Sequence, residues 1–180
     1  AEFGVTAMSV DELLAGPAAV VLNITPPLAH HMVGAAVLNA GKHLFTEKPL
    51  AATFAQGQEL VALAARKQLR LGCAPDTVLG AGSQAVRALV DSGAVGRIVS
   101  GSAQFMSHGP DHWHPNPDFF YRPGAGPLHD IGPYYISHLV HHLGPVAKLS
   151  ATARVTWRDR IIARGANAGK TIKVDVPTTG

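Results

Sequence analysis

Cysteine is nearly absent from this 180-residue chain, where Cys73 stands alone. That excludes an internal disulfide framework and any multi-cysteine metal site, and it points to a reducing, cytoplasmic setting. Charge is also sparse, at 15% of residues with a formal net charge of +3. The basic residues are scattered and form no run, so nucleic acid is not an expected partner. No uninterrupted apolar stretch approaches the ~20 residues of a membrane helix, and no membrane partner is expected. The chain opens Ala1-Glu2-Phe3-Gly4, without Met, basic leader or signal-like apolar segment. What is abundant is apolar surface, 47% of residues, enough for a packed core in one large domain or two small ones.

Periodicity divides the chain in two. A short helical piece spans about Ser9 to Ala15, and Val20 to Thr25 form a compact apolar strand closed by Pro26-Pro27. Leu28 to Ala40 place Leu28, Met32, Val33, Ala36 and Val37 at helical spacing, with Gly41 as a stop. His43 to Phe45 is a second buried-type strand. Thr53 and Gln56 read as a capping box before a helix bearing Leu60, Leu63 and Ala64, and Leu69 to Cys73 is a third strand. Strand and helix alternating over about 55 residues with short connections predict βαβ crossovers and a parallel sheet. Residues 1–74 are therefore expected to be part of a Rossmann-type dinucleotide-binding domain.

From about residue 75 the pattern changes. A helix over Ser83 to Ser92 is followed by alternation at Val99, Gly101, Ala103 and Phe105. The alternation returns at Leu149, Ala151, Ala153, Val155 and Trp157, and another strand begins at Ile172, Val174 and Val176. Period two predicts a mainly antiparallel open sheet, hence an α+β domain over 75–180. Ser107 to Pro127 is Gly-, Pro- and His-rich and carries Trp113, Phe119, Phe120 and Tyr121, the composition of a functional loop.

Two segments could carry chemistry. In Glu47-Lys48-Pro49, a lysine ends a strand and proline follows at once, which fixes a cation at the carboxyl edge where open α/β sheets bind ligands. A surface turn with a solvated lysine reads equally well from the tripeptide alone. In Asp130-Ile131-Gly132-Pro133-Tyr134, Asp130 sits where a helix N-cap belongs, and Asp130, Tyr134 and His138 fall at i, i+4, i+8 on one face. Capping alone accounts for an Asp there, and core packing for Tyr134 and His138, but the three together suit the lip of a site. A phenol is a poor base near neutrality. Lowering it from ~10 to ~7 takes about 4 kcal/mol, roughly what an ammonium ~4 Å away supplies at an effective dielectric of ~20. Lys48 and Tyr134 would thus make a competent pair.

Taken jointly, the text Thr25-Pro26-Pro27-Leu28-Ala29-His30, Ala40-Gly41-Lys42-His43, Glu47-Lys48-Pro49-Leu50-Ala51 and Gly124-Ala125-Gly126 before Asp130 to Tyr134 resembles the Gfo/Idh/MocA oxidoreductases. Order and spacing both fit over nearly the whole chain. The resemblance implies NAD or NADP as cofactor and hydride transfer to or from a sugar, cyclitol or related polyol hydroxyl. It assigns Thr25, Pro26, His30, Glu47 and Lys48 to the cofactor side. Lys48 and Asp130 are implied to hold the substrate hydroxyl, with Tyr134 as acid/base where many members carry His. Asp76, His112, His114, Arg122 and His138 are weaker substrate-side candidates. It also implies a cis Lys48-Pro49 bond, and a homo-oligomer formed through the second sheet.

The chain departs from the family pattern in carrying Pro27 where Asn is frequent, and in having no G-x-G-x-x-G fingerprint ahead of these motifs. It is expected to be an internal piece of a longer protein, beginning inside the dinucleotide domain and stopping inside the second sheet. By itself it should be inactive and bind cofactor weakly or not at all. Gly80-Ala81-Gly82-Ser83-Gln84-Ala85 mimics the fingerprint but follows no strand directly, and no acidic residue lies about 20 positions on. Two other functions compete. Ten histidines, including His112, His114, His138, His141 and His142, suit a metal-dependent hydrolase, although no H-E-x-x-H pattern accompanies them. A non-catalytic association module is the third.

Overall fold

The computed structural model describes residues 4–179. The chain separates into two compact units, Ala1–Ala74 and Pro75–Gly180.

In the first unit, helix α1 (Val10–Ala15) starts at Ser9, whose hydroxyl accepts from the Glu12 amide at 3.2 Å while the Glu12 carboxylate accepts from the Ser9 amide at 2.7 Å. Strands β1 (Val20–Asn23), β2 (His43–Thr46) and β3 (Leu71–Cys73) form a parallel sheet in the order β1-β2-β3. Helices α2 (His30–Asn39) and α3 (Phe54–Arg66) make the crossovers. Val21, Val37, Leu38, Leu44, Leu60 and Ala64 are the core between helices and sheet, each larger aliphatic contributing about 1.5–3 kcal/mol by burial. Gly34 lets α2 approach: a Cβ there would lie 2.9 Å from Leu44 Cδ2 and 3.3 Å from Leu60 Cδ2. Leu28 and Met32, read as part of the α2 stripe, are exposed: Leu28 lies in the 3-10 turn Pro27–Ala29 ahead of the helix, and the buried face of α2 is instead His30, Gly34, Val37 and Leu38. The Thr53–Gln56 pattern forms half a box. Thr53 Oγ1 accepts from the Gln56 amide at 3.3 Å, but Gln56 Oε1 is buried without a hydrogen-bond partner.

The second unit holds α4 (Ala81–Asp91), α5 (Pro127–Asp130), α6 (Gly132–Leu143) and an antiparallel pair, β4 (Asp159–Ile161) and β5 (Thr171–Lys173). Tyr121, Ile162, Ile172 and Val174 make a second core beside that pair. Gly80 caps α4 directly after a 3-10 turn, so the fingerprint mimic has no strand ahead of it. The strands expected at Val99–Phe105 and Leu149–Trp157 are corrected. Among the described residues these segments carry no ladder, only an isolated bridge from Arg154 to Thr179. Val99 and Leu149 are each 81% exposed. Alternation prepares one face for burial, but a strand also needs a neighbouring backbone to take its hydrogen bonds.

Candidate functional site

In the first unit the parallel register pairs Asn23 with Thr46, so β1 and β2 end side by side and their loops rise from one edge. Asn23 organises that edge. Its Oδ1 accepts from Thr25 Oγ1 at 2.7 Å and from the Thr25 amide at 3.3 Å, its Nδ2 donates to the His30 carbonyl at 3.2 Å, and its own carbonyl accepts from the Glu47 amide at 2.9 Å. Pro26 follows with extended backbone (φ −61°, ψ 150°). On β2, Glu47 turns its carboxylate back to accept from the Lys48 amide at 3.0 Å, and the Lys48–Pro49 bond is cis. His30 lies under both turns, buried, with its ring nitrogens on the carbonyls of Thr25 and Pro49. Lys42, also buried, donates to the carbonyls of Gly16 and Ala18 at 2.7 Å each and holds the entry to β1. Burial, then the charge of Glu47, pushes the Cys73 thiol up to about 11. A thiolate is thereby disfavoured at the sheet edge.

In the second unit, Gly126 (φ 96°) turns the chain into α5, where a Cβ would lie 3.1 Å from Val176 Cγ2. Pro127 supplies the first helical position. Asp130 therefore ends α5, its amide donating to the Gly126 carbonyl at 2.9 Å, and α6 restarts beyond Ile131. The N-cap expectation for Asp130 is corrected. Proline at 127 starts the helix one turn early, and Ile131 (φ −108°, ψ −33°) breaks it before Pro133, which has no amide hydrogen to continue the ladder.

The break divides the expected shared face between two cavities. Tyr134 and His138 line one of about 780 Å³ with Phe105, Tyr135 and Leu139. Asp130 lines one of about 290 Å³ with Trp113, Trp157 and Arg160. Phe105 and Ile131 border both. His138 is 3.4 Å from Ser83 Oγ through Nδ1, and its ring lies 5.9 Å from that of His142.

The weaker candidates scatter. Asp76 is exposed at the start of the 3-10 turn Thr77–Leu79. Arg122 is held by Asp118 and Asp175, at 2.9 and 2.7 Å, on the surface. His112 is exposed beside the His108 ring, and His114 packs edge-on to Trp113, Phe119 and Phe120 while Nδ1 accepts from the Asn116 amide at 3.0 Å. No group of three or more His, Cys, Asp or Glu side chains placed to share a metal occurs among the described residues. No helix among them is long and apolar enough to cross a membrane.

Sequence reasoning missed two buried polar clusters. One is Asn23 with Thr46 and His30, marked in sequence by an Asn inside an apolar run, a residue that strands disfavour. The other is Asp111, which accepts from the Tyr121 hydroxyl and from Arg160 Nη2 (3.0 Å) under the aromatic loop. Burial, then the bond to Asp111, raises the Tyr121 phenol far above its ordinary value. Gly109 (φ 110°) is required there, since a Cβ would fall 2.6 Å from both Asp111 Oδ1 and the Tyr121 hydroxyl.

The first unit is thus a three-stranded parallel sheet with a Thr-Pro turn and a Lys-Pro turn at its carboxyl edge, and the second an α+β unit with Asp130 and Tyr134 at cavities. Residues 1–74 match the family pattern described as an oxidoreductase family with an NAD-binding Rossmann fold, and residues 83–179 match the GFO/IDH/MocA C-terminal domain. The chain belongs to the Gfo/Idh/MocA oxidoreductase family. It is similar to an uncharacterised oxidoreductase of Schizosaccharomyces pombe, 29% identical over 82% of this chain and 41% of the other. It is also similar to the dTDP-3,4-didehydro-2,6-dideoxy-alpha-D-glucose 3-reductase of Streptomyces antibioticus, 35% identical over 75% of this chain and 40% of the other. The solved complex of levoglucosan dehydrogenase with NADH and levoglucosan shares the fold, with a TM-score of 0.74 at 21% identity over 94% of this chain and 45% of the other. The chain thus spans less than half the length of each of these relatives.

Proposed function

We propose that the whole protein is an NAD(P)-dependent dehydrogenase acting on a CH–OH group of a sugar, cyclitol or related polyol. The observation that carries this reading is that each unit holds its family motif at a place suited to a ligand. Lys48 stands at the carboxyl edge of a parallel sheet, and Asp130 and Tyr134 stand on cavities of the second unit. The S. antibioticus relative is named as a reductase of a nucleotide-linked sugar.

The edge fits a dinucleotide. Beneath it, buried Asn23 and Thr46 are already satisfied, and it offers Thr25, Pro26, Glu47 and Lys48 at its rim. When bound there, the cofactor supplies nicotinamide C4 as hydride acceptor. Oxidising a carbinol to a carbonyl removes one hydride from carbon and one proton from oxygen. Tyr134 takes that proton as general base, and Lys48 donates a hydrogen bond to the hydroxyl oxygen. Asp130, on the adjoining cavity, accepts a hydrogen bond from a second hydroxyl of the polyol and fixes its direction. Trp113 and Trp157 give the Asp130 cavity apolar walls that suit the C–H faces of a sugar ring. Association of copies through the exposed alternating segments of the second unit belongs to the same proposal.

Offering the whole protein a panel of sugars and cyclitols with NAD or NADP, and following the absorbance of the reduced nicotinamide, tests the reading. We expect turnover with at least one polyol. Silence across the panel, in both directions of reaction, together with stoichiometric zinc, would favour the hydrolase instead.

A further inference from the structure

His30 is 1% exposed, and its ring joins two turns that are far apart in sequence. Nδ1 lies 2.6 Å from the Pro49 carbonyl oxygen and Nε2 lies 2.7 Å from that of Thr25. A carbonyl oxygen only accepts, and a neutral imidazole has one N–H to give. A neutral ring would therefore press a lone pair against a carbonyl oxygen in a dry site, where an unmade bond costs about 1–3 kcal/mol. With a proton on each nitrogen, both contacts become charge-assisted bonds, and their lengths are those of such bonds. The neighbouring charged groups are engaged elsewhere: His31 pairs with Glu59 at 2.8 Å, and Glu47 accepts from the Lys48 amide at 3.0 Å.

We propose that His30 is a positioning residue whose imidazole donates from both nitrogens, clamping the Thr25 carbonyl to the Pro49 carbonyl. The clamp makes the Thr25–Pro26 turn and the Lys48–Pro49 turn one rigid edge. Asn23 completes it from below by tying Thr25 to the His30 backbone. A residue that the family resemblance assigns to the cofactor side thus holds the rim from beneath it. The effect on catalysis rests on the role proposed for Lys48; the clamp itself does not.

Two measurements test this separately. Nuclear magnetic resonance of the chain carrying ¹⁵N-labelled histidine counts the protons on each ring nitrogen, with His30→Gln identifying the signals. We expect a proton on both His30 nitrogens, and a nitrogen without one overturns the clamp. In the whole enzyme, His30→Gln keeps one N–H donor and most of the volume. Because small misplacement costs up to about a hundredfold in rate, kcat should fall by about tenfold to a hundredfold, with the KM for polyol within about twofold. An unchanged kcat well below the unfolding midpoint shows a purely structural residue and overturns the positioning role. Absence of any polyol turnover in the wild type would sink the functional reading and leave the proton count to decide the clamp.

Discussion

In the first unit each apolar strand finds a ladder and a helix to bury it, whereas in the second the longest alternating segments find no ladder, although Gly101 and Phe105 lie against α6. Val21 and Leu44 turn inward under α2 and α3, and the sheet they belong to is continuous in register from Val20–His43 to Thr46–Cys73. Val99 to Phe105 and Leu149 to Trp157 join no ladder, and Val99, Phe105, Leu149 and Trp157 are exposed. The second unit is held instead by a small core at Tyr121, Ile162, Ile172 and Val174, and by the buried Asp111–Arg160 pair that ties the aromatic loop to β4. Local crossovers complete their own burial within about 30 residues of chain, while an open sheet depends on partners distant in sequence or in another molecule.

This contrast can be broken by substitution. Asp111→Ala strands the Arg160 charge and the Tyr121 hydroxyl together and should cost about 3–5 kcal/mol in denaturant unfolding of the second unit. A loss below about 1 kcal/mol would show that the loop is held by something else. Leu38→Ala, in the first unit's core, should cost about 2–5 kcal/mol. The Cys73 thiol ionises only near pH 11. A raised folded-state pKa means less thiolate at pH 8, so alkylation should run about a hundredfold slower than for a free thiol and recover on unfolding. Rapid labelling of the folded protein would contradict the burial of that strand end. Leu149→Ala should change stability by less than about 0.5 kcal/mol in the monomer. A larger loss that grows with protein concentration would sharpen the contrast, because it would mean that a second copy covers that segment.

The legible parts of the molecule were those in which one residue type serves one local need. The short helix near Ser9 to Ala15 was read from its pattern, Gly41 (φ 77°) ends α2, and strand–helix alternation fixed the parallel sheet. The Lys48–Pro49 turn at the end of β2 was equally readable, because proline stops a strand wherever it stands. What escaped depends on atoms meeting across the fold. The i, i+4, i+8 spacing could not reveal that Ile131 breaks the helix and sends Asp130 to a different cavity from Tyr134. Nor could spacing show that His30 faces two carbonyls, or that Arg122, a substrate candidate by charge, is occupied by Asp118 and Asp175.

The central proposal is that Tyr134 moves the hydroxyl proton and that Lys48 is a catalytic residue of the same reaction. Single-turnover hydride transfer in the whole protein, comparing wild type with Tyr134→Phe and Lys48→Met under saturating cofactor and polyol, tests it most directly. Loss of a positioned acid/base should slow the step by about 10²–10⁴-fold, with the unfolding midpoint and reduced-cofactor binding little changed. A rate within about threefold of wild type in either variant would contradict the account.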